Sequence, residues 1–203
     1  KRQDIDVQTW MSYVLSHPAG SVQHLPQWRA VLTQCYPHRP YYLFAVQDNG
    51  QLCGILPMFH LRSRLTGSRL VSLPFSGVCG PIANSEEVSN LLVTEASNLC
   101  DRLGCRYLEL RMARPLDAGL QEVQSYATFM LHLDDATTVW QKLDPKSVRW
   151  AVRKAQKQGV TARHGAGELD LAKFYRLNQD TKKRLGVPWP SLRFFQELKN
   201  EMG

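Results

Sequence analysis

Residues 41–63, YYLFAVQDNGQLCGILPMFHLRS, contain two apolar runs separated by Asp48-Asn49-Gly50. An Asn-Gly pair between apolar runs is a strong signal of a β-hairpin, because the tight turn needs positive φ angles that these two residues adopt readily. The second run is apolar on both faces from Leu52 to Leu61, which is typical of a buried strand. The segment therefore predicts a hairpin whose second strand is central in a sheet.

The residues on either side of the hairpin predict further helices and strands. Asp6 and Pro26 mark the starts of two helices before it, and Ser85 begins a long helix that ends at Gly104. Asp144-Pro145 has the pattern of another helix start. The remaining predicted elements are strands at 68–73, 105–112, 125–133 and 160–164, and helices beginning near 137, ending at 159, and covering 168–185 and 190–202.

The composition is that of an ordinary soluble globular protein, with 43% hydrophobic and 21% charged residues. No run of 18 apolar residues occurs, and the first residues do not resemble a signal peptide, so we expect no membrane span and no leader. The five cysteines include no Cys-x-x-Cys pair. We therefore expect reduced thiols, no metal site and a cytoplasmic location. The chain begins without Met, and we expect it to be part of a longer protein.

Positive charge is concentrated in the last third of the chain. Residues 1–140 contain 11 Lys or Arg against 12 Asp or Glu, whereas residues 141–203 contain 14 against 6. The second part alone therefore carries +8. Such an asymmetry indicates an anionic partner near residues 141–203.

The last helices repeat features of the first ones. A shift of 164 residues aligns Trp10 with Phe174 and Pro26 with Pro190. The order of elements also begins again after residue 159, with a strand and two helices. We therefore predict an internal duplication, with a first domain at 1–143, a basic connecting helix at 144–159 and an incomplete second domain at 160–203.

Three stretches carry a resemblance to a known family: residues 25–81, KSVRWAVRKAQKQGV (146–160) and FYRLNQDTKKRLGVPWPSLRFFQELK (174–199). Together with the order of elements, they resemble the FemAB family, whose members carry two GNAT folds in tandem. The chain looks most like the exopolysaccharide-associated branch. The resemblance implies an α+β fold of three-layer α/β/α type. It has a mixed, mostly antiparallel sheet flanked by helices, followed by the start of a second repeat.

The resemblance also implies a function, which is acyl or aminoacyl transfer to an amino group in cell-envelope biogenesis. The acceptor would be a phosphate-bearing sugar or peptide precursor, of the polysaccharide or peptidoglycan type. Two donors stay open, aminoacyl-tRNA and acyl-CoA, and no tightly bound cofactor is expected. The alternative is a non-catalytic GNAT-like module that binds an anionic partner. DNA is not an expected partner, whereas self-association through the incomplete second repeat is.

The basic segment KSVRWAVRKAQKQGV supplies the candidate anion-binding residues. Arg149, Arg153 and Lys157 are spaced by four, so they share one face of a helix, with Lys154 at its edge. An adjacent apolar stripe could dock on a sheet. Arg suits bidentate contact with phosphate, and Lys suits a point-charge contact. A solvated linker helix explains the same pattern, so both interpretations stay open.

The loop PFSGVCGP at 74–81 is the candidate wall of a substrate cleft. It carries no charge, and we expect Gly77 and Gly80 to allow close backbone approach and positive φ angles. Phe75 and Ser76 belong to the same candidate surface. A packed connection between a strand and a helix is the simpler interpretation.

Two further motifs bear on the chemistry. The R/Q-x-x-G-x-G/A signature, with which GNAT enzymes hold the CoA diphosphate, is absent, because RHGAG at 163–167 is one residue short. We interpret RHGAG as a turn. Glu109 is the candidate catalytic base, since a carboxylate near an amine acceptor could take its proton. An ion pair with Arg111 on the same strand face explains Glu109 equally well.

Overall fold

The computed structural model describes residues 5–75, 77–112, 114, 116, 119–123, 131–165 and 167–203. These residues fall into two compact units. The sheet unit comprises residues 1–121 and 172–203, and the α5 unit comprises residues 122–171. The helices are α1 (Val7–Ser16), α2 (Pro26–Cys35), α3 (Glu86–Arg102), α4 (Ala136–Lys142), α5 (Val148–Lys157), α6 (Glu168–Leu185) and α7 (Leu192–Met202), and the strands are β1 (Arg39–Val46), β2 (Leu52–Ser63), β3 (Gly67–Val71), β4 (Ile82–Ala83) and β5 (Tyr107–Glu109).

The predicted hairpin is confirmed as β1 and β2, which pair antiparallel. Gly50 occupies the turn with a φ angle of 84°, in the left-handed region that favours glycine. Strand β2 also pairs antiparallel with β3 and β4, so it is the central strand that its apolar sequence predicts. The sheet is mixed, because β5 pairs with β3 in parallel.

Two predicted strands have different outcomes. Most of the predicted strand at 125–133 lies outside the described residues. The predicted strand at 160–164 is wrong, since these residues adopt no regular structure. A strand is stable only when its backbone N–H and C=O groups find a partner strand. A short β-branched sequence does not supply that partner.

Helices cover both faces of the sheet. On one face, Phe59 of β2 packs in a core with Trp28 and Leu32 of α2, and Trp10 of α1 packs nearby with Ile55 of β2. On the other face, Leu56 and Met58 of β2 pack against Leu92, Val93 and Ala96 of α3. The arrangement is three layers, α/β/α, as predicted.

Helix α7 completes one of these layers. Phe194 is only 5% exposed and packs edge-on against Trp28, with ring centroids 6.0 Å apart. Phe195 and Leu198 pack against the same core. The apolar face of α7 is therefore covered by the sheet unit itself. The duplication and the domain boundaries at 143 and 160 stay predictions, as does self-association, for which Phe174 and Leu177 remain exposed.

Candidate functional site

Helix α5 ends where the sequence predicts, but it begins three residues later than predicted. It ends at Lys157, just before the predicted stop at Gly159, but it begins at Val148 rather than at Pro145. Asp144 Oδ1 accepts hydrogen bonds from both the amide and the hydroxyl of Ser147, and the Asp144 carbonyl accepts from the amide of Arg149, five residues on, over 3.0 Å. Residues 145–147 therefore form a turn that leads into the helix.

The predicted cations of α5 differ in exposure. Arg153, Lys154 and Lys157 are exposed, and Arg149 is half-buried with its Nε lacking a hydrogen-bond partner. None of the four forms an ion pair within the part of the chain that the structure describes. None of the four charges is therefore neutralised by an ion pair with a described carboxylate.

The neighbouring apolar stripe of α5 is not buried. Val148 and Val152 are 42% and 37% exposed. That this stripe docks on a sheet stays a prediction. The helix is held at its start by the Asp144 turn. It also contacts α4, where the guanidinium of Arg153 lies 5.7 Å from the centre of the Trp140 ring.

Sequence reasoning missed one residue of α5. Trp150 is 56% exposed, and the Nζ of Lys154 lies 4.9 Å from the centre of its ring. Its spacing to the cations was visible in the sequence, because residues three, four and seven positions apart share a helix face. Trp150 is therefore an aromatic residue on the same helix face as the cations.

A second candidate surface lies in the sheet unit, where β3 and β5 end side by side at Val71 and Glu109. The segments that follow stay joined: the Ser72 amide donates to the Glu109 carbonyl over 2.9 Å, and the Cys79 amide donates to the Arg111 carbonyl over 2.8 Å. The structure therefore brings together the predicted loop and the candidate base, which the sequence could not relate to each other.

Glu109 at this surface is paired as the simpler interpretation expects. The Arg111 Nε donates to Glu109 Oε1 over 2.7 Å, and both side chains are about one-third exposed. A partly exposed pair of this kind contributes little to stability, about 0–1 kcal/mol. The ion pair instead holds the Glu109 carboxylate beside the loop.

The loop itself holds strained backbone at residues that sequence reasoning did not select. Leu73 and Phe75 have φ angles of 65° and 60°, which cost bulky residues on the order of 1–3 kcal/mol each. Positive φ was expected instead at Gly77 and Gly80; for Gly80 that expectation is wrong, and the φ angle of Gly77 depends on Ser76, which lies outside the described residues. Strain of this kind persists only where surrounding contacts enforce it.

The four predicted loop residues have different surroundings. Phe75 is 47% exposed and stacks on Tyr36, with ring centroids 4.5 Å apart. Ser76 lies outside the described residues. Gly77 faces open space, whereas a Cβ on Gly80 would lie 2.8 Å from Cγ of Met112. Gly80 is therefore packed against the side chain of Met112, and the role of the loop as a cleft wall stays a prediction.

A buried histidine anchors this loop. The Gly80 carbonyl can only accept, so His24 Nε2, 3.0 Å away, carries a hydrogen and donates it. Nδ1 of the neutral ring then accepts from the Ser21 hydroxyl over 2.7 Å. Burial lowers the pKa of His24, which favours this neutral form. The sequence showed His24 without a partner, because Ser21 and Gly80 reach it only in the fold.

The remaining motifs carry no site of their own. Arg163 pairs with Asp170 in α6, which agrees with a structural role for RHGAG. Across the described residues, no cluster of His, Cys, Asp or Glu could hold a metal ion. Within the same residues, no helix is both long and apolar enough to cross a membrane.

Comparison with known proteins supports the predicted resemblance. The FemAB family model matches residues 114–203. The crystal structure of FemX matches 99% of the chain with a TM-score of 0.60 at 15% identity, and the chain spans 54% of FemX. The FemAB resemblance and the GNAT-like α+β fold are thereby confirmed.

Two GNAT structures match a smaller part of the chain. A GNAT family acetyltransferase of Staphylococcus aureus matches 64% of this chain and 96% of its own, at 13% identity and a TM-score of 0.42. The aminoglycoside 6′-N-acetyltransferase AAC(6′)-Ig of Acinetobacter haemolyticus matches 63% and 93%, at 17% identity and a TM-score of 0.41. No curated protein sequence matches the chain significantly.

Proposed function

We propose that this chain, whose residues 114–203 match the FemAB family model, is part of an N-acyltransferase. It would move an acyl or aminoacyl group onto an amino group of a cell-envelope polysaccharide or a peptidoglycan-type precursor, in the exopolysaccharide-associated branch. The family match is the observation that supports this proposal most, because it includes α5 with its four cations. The cytoplasm is the proposed location, in keeping with five cysteines that are all free thiols.

The proposed reaction forms an amide. The amine nitrogen attacks the acyl carbonyl, a C–N bond forms, and the bond from the carbonyl carbon to the donor oxygen or sulfur breaks. The amine loses a proton and the leaving group takes one up. Aminoacyl-tRNA would supply an ester and acyl-CoA a thioester. The missing R/Q-x-x-G-x-G/A signature favours the ester donor.

Helix α5 would hold the anionic part of a substrate. Arg149 and Arg153 offer planar guanidinium groups that match phosphate oxygens in pairs, and Lys157 adds a point charge one turn further. None of the three forms an ion pair with a carboxylate of the described residues. A phosphate along this face would also relieve the repulsion among like charges four residues apart.

Charge reversal in the full-length protein tests this role. Arg149→Glu with Arg153→Glu should weaken binding of the phosphate-bearing substrate at least tenfold and flatten its salt dependence. Arg62→Glu with Arg64→Glu is the matched control, since both of these arginines are exposed and neither forms an ion pair with a described residue. If both double variants weaken substrate binding equally, α5 is a solvated helix and not a specific binding site.

A second candidate function is a non-catalytic module that binds an anionic partner. The Glu109–Arg111 pair favours it, because one oxygen of the candidate base is already engaged. Glu109→Gln keeps the shape of the side chain and removes its basic oxygen. In full-length enzyme that transfers acyl groups, a base at this position predicts a 10²–10⁴-fold loss of turnover, roughly. Absence of any transfer by the parent protein would favour the binding module.

A further inference from the structure

One end of the sheet carries a group of arginines that neither candidate site uses. Strand β2 ends there and β1, β3 and β5 begin there, because β2 pairs antiparallel with β1 and β3, and β3 pairs in parallel with β5. The arginines of this end are Arg39, Arg62, Arg64, Arg69 and Arg106, and all but Arg69 are exposed. Together with Leu65, in the turn between β2 and β3, they form what we call the arginine end.

Positive charge is concentrated at the arginine end. None of its five arginines forms an ion pair with a residue that the structure describes. The sequence contains no Asp or Glu between Asp48 and Glu86, a stretch that includes all of β2 and β3. Burial lowers the pKa of His60, and the charges of Arg62 and Arg39 lower it further, so these two cations lie near the same ring. An anion at this end would therefore meet several cations at once.

The turn between β2 and β3 presents an apolar side chain among these charges. Leu65 is 97% exposed and directly follows Arg64. The turn is held in shape, because the Ser63 hydroxyl accepts hydrogen bonds from the amides of Leu65 and Thr66, each over 3.2 Å. The Arg69 guanidinium also donates to the Thr66 hydroxyl over 2.8 Å. The leucine is therefore displayed by an ordered turn.

The combination of cations with an apolar tip distinguishes between classes of anionic partner. A free phosphate needs cations but no apolar side chain. Nucleic acid is read by hydrogen-bonding groups in a groove or by rings that stack on bases, and a leucine supplies neither. An anionic bilayer uses both features, since its headgroups attract arginines and its acyl region accepts an apolar side chain. Tyr107, 42% exposed at the start of β5, adds a residue type that is enriched where membrane meets water.

The arginine end lies away from the candidate cleft. Strand β3 begins at Gly67 in the arginine end and ends at Val71 beside Glu109. A strand of five residues is roughly 15 Å long. A flat partner bound at the arginine end would therefore leave the loop and Glu109 open to solution.

We propose that the arginine end docks on an anionic phospholipid bilayer, with its arginines among the lipid phosphates and Leu65 inserted between the headgroups. The proposed cytoplasmic location makes the cytoplasmic leaflet the surface that the protein would meet, and that leaflet is negatively charged. The contact goes beyond the proposed function, because it needs neither donor nor acceptor.

Vesicle binding by the full-length protein tests this docking. The protein should sediment with vesicles of phosphatidylcholine and phosphatidylglycerol, but not with vesicles of phosphatidylcholine alone. Leu65→Ser should weaken binding to the anionic vesicles about tenfold, because the apolar side chain no longer leaves water. Leu65→Met keeps an apolar side chain of similar size and should retain the affinity. Leu133→Ser is the matched control, since Leu133 is 82% exposed and precedes Asp134 rather than an arginine.

A second set of measurements separates the bilayer from a free phosphate and from the α5 site. Arg62→Glu with Arg64→Glu should weaken vesicle binding at least tenfold, since each arginine near a charged bilayer contributes roughly fivefold. Soluble glycerol 3-phosphate, which offers the phosphate without a bilayer, should not displace the protein from the vesicles. Without vesicles, the same double variant should bind a water-soluble phosphate-bearing substrate like the parent protein, because that substrate is assigned to α5. Docking and the proposed function can therefore fail separately.

Several results would overturn the inference. The parent protein could fail to bind anionic vesicles, or bind equally well to vesicles without phosphatidylglycerol. Leu65→Ser could bind like the parent, or glycerol 3-phosphate could displace the protein. Loss of vesicle binding in Arg149→Glu with Arg153→Glu, but not in Arg62→Glu with Arg64→Glu, would assign the contact to α5 instead. Thermal unfolding of each variant checks that the protein remains folded.

Discussion

Strand β2 and helix α5 are similar in length but opposite in burial. Nine consecutive residues of β2, Leu52–His60, are buried, whereas none of the ten residues of α5 is buried. The β2 sequence lacks charge over this run, and α5 carries four cations and no acid. The comparison teaches that packing selects the residues of the sheet unit. Packing does not constrain the residues of α5 in this way, because none of them is buried.

The largest expected effect comes from the buried side of this comparison. Phe59 is fully buried in β2 between α2 and the strands beside it. Phe59→Ala should lower the free energy of unfolding by about 3–5 kcal/mol, because the lost transfer energy is increased by the cavity left behind. Val152→Ala in α5 should change it by less than about 0.5 kcal/mol. Urea unfolding of both variants measures the two changes in free energy. Similar losses of stability would contradict the difference in burial between β2 and α5.

The second prediction extends the buried region to α7. Phe194→Ala should cost about 3 kcal/mol, since the ring fills a space lined by Trp28, Tyr36 and Phe75. Phe174→Ala, at a position 46% exposed, serves as the control and should cost less than about 1 kcal/mol. If both phenylalanines behave alike, α7 does not belong to the core of the sheet unit.

Local signals explain what the sequence predicted correctly. The Asn-Gly turn, the two-sided apolar run of β2 and the glycine after α5 each act over a few residues. The packing of α7 on α2 was not predictable in this way, because it joins residues more than 150 positions apart. The stretch at 160–164 has a strand pattern but no partner strand.

In the candidate sites, too, the sequence predicts local features and does not predict contacts between distant segments. Spacing alone placed the cations of α5 on one face, and the same spacing would have found Trp150. The positive φ angles at Leu73 and Phe75 had no signal in residue type, because bulky residues rarely adopt them. Nor could the sequence show that the loop and Glu109 are joined, since backbone hydrogen bonds between distant segments join them.

A third, smaller effect concerns pH and the buried histidine. Burial lowers the pKa of His24 from its ordinary value of 6.5. Between that value and the lower folded pKa the unfolded chain binds more protons, so stability is present above about pH 6.5 and is lost as the pH falls. Burial lowers the pKa of His60 and His38 as well, so they add to the same loss.

Replacing His24 separates its contribution to the pH dependence of stability from the contributions of His38 and His60. His24→Gln keeps an N–H that can donate to the Gly80 carbonyl but cannot titrate. The free energy of unfolding should then fall less steeply between pH 7.5 and pH 5 than in the parent, since each unit of pKa difference is worth about 1.4 kcal/mol. Chemical unfolding at several pH values gives the slope. An unchanged slope would mean that His24 does not resist protonation in the fold.

The smallest expected change in stability is on α5, where the largest change in binding is expected. Arg149→Glu with Arg153→Glu reverses two charges on a helix that has no buried residue and no ion pair among the described side chains. The free energy of unfolding should change by no more than about 1 kcal/mol, because no ion pair is broken and the contact that Arg153 makes with the Trp140 ring is of a kind worth about 0.5–1 kcal/mol at exposed sites. Charge effects within α5 should nearly cancel, since Arg153→Glu gains an attractive pair with Lys157 four residues on, whereas the two new acids repel each other at the same spacing. Urea unfolding at low and high salt measures the change, which should depend little on salt. A loss above about 2 kcal/mol would show that α5 is held by contacts of these arginines, and its cations would then be structural rather than reserved for a ligand.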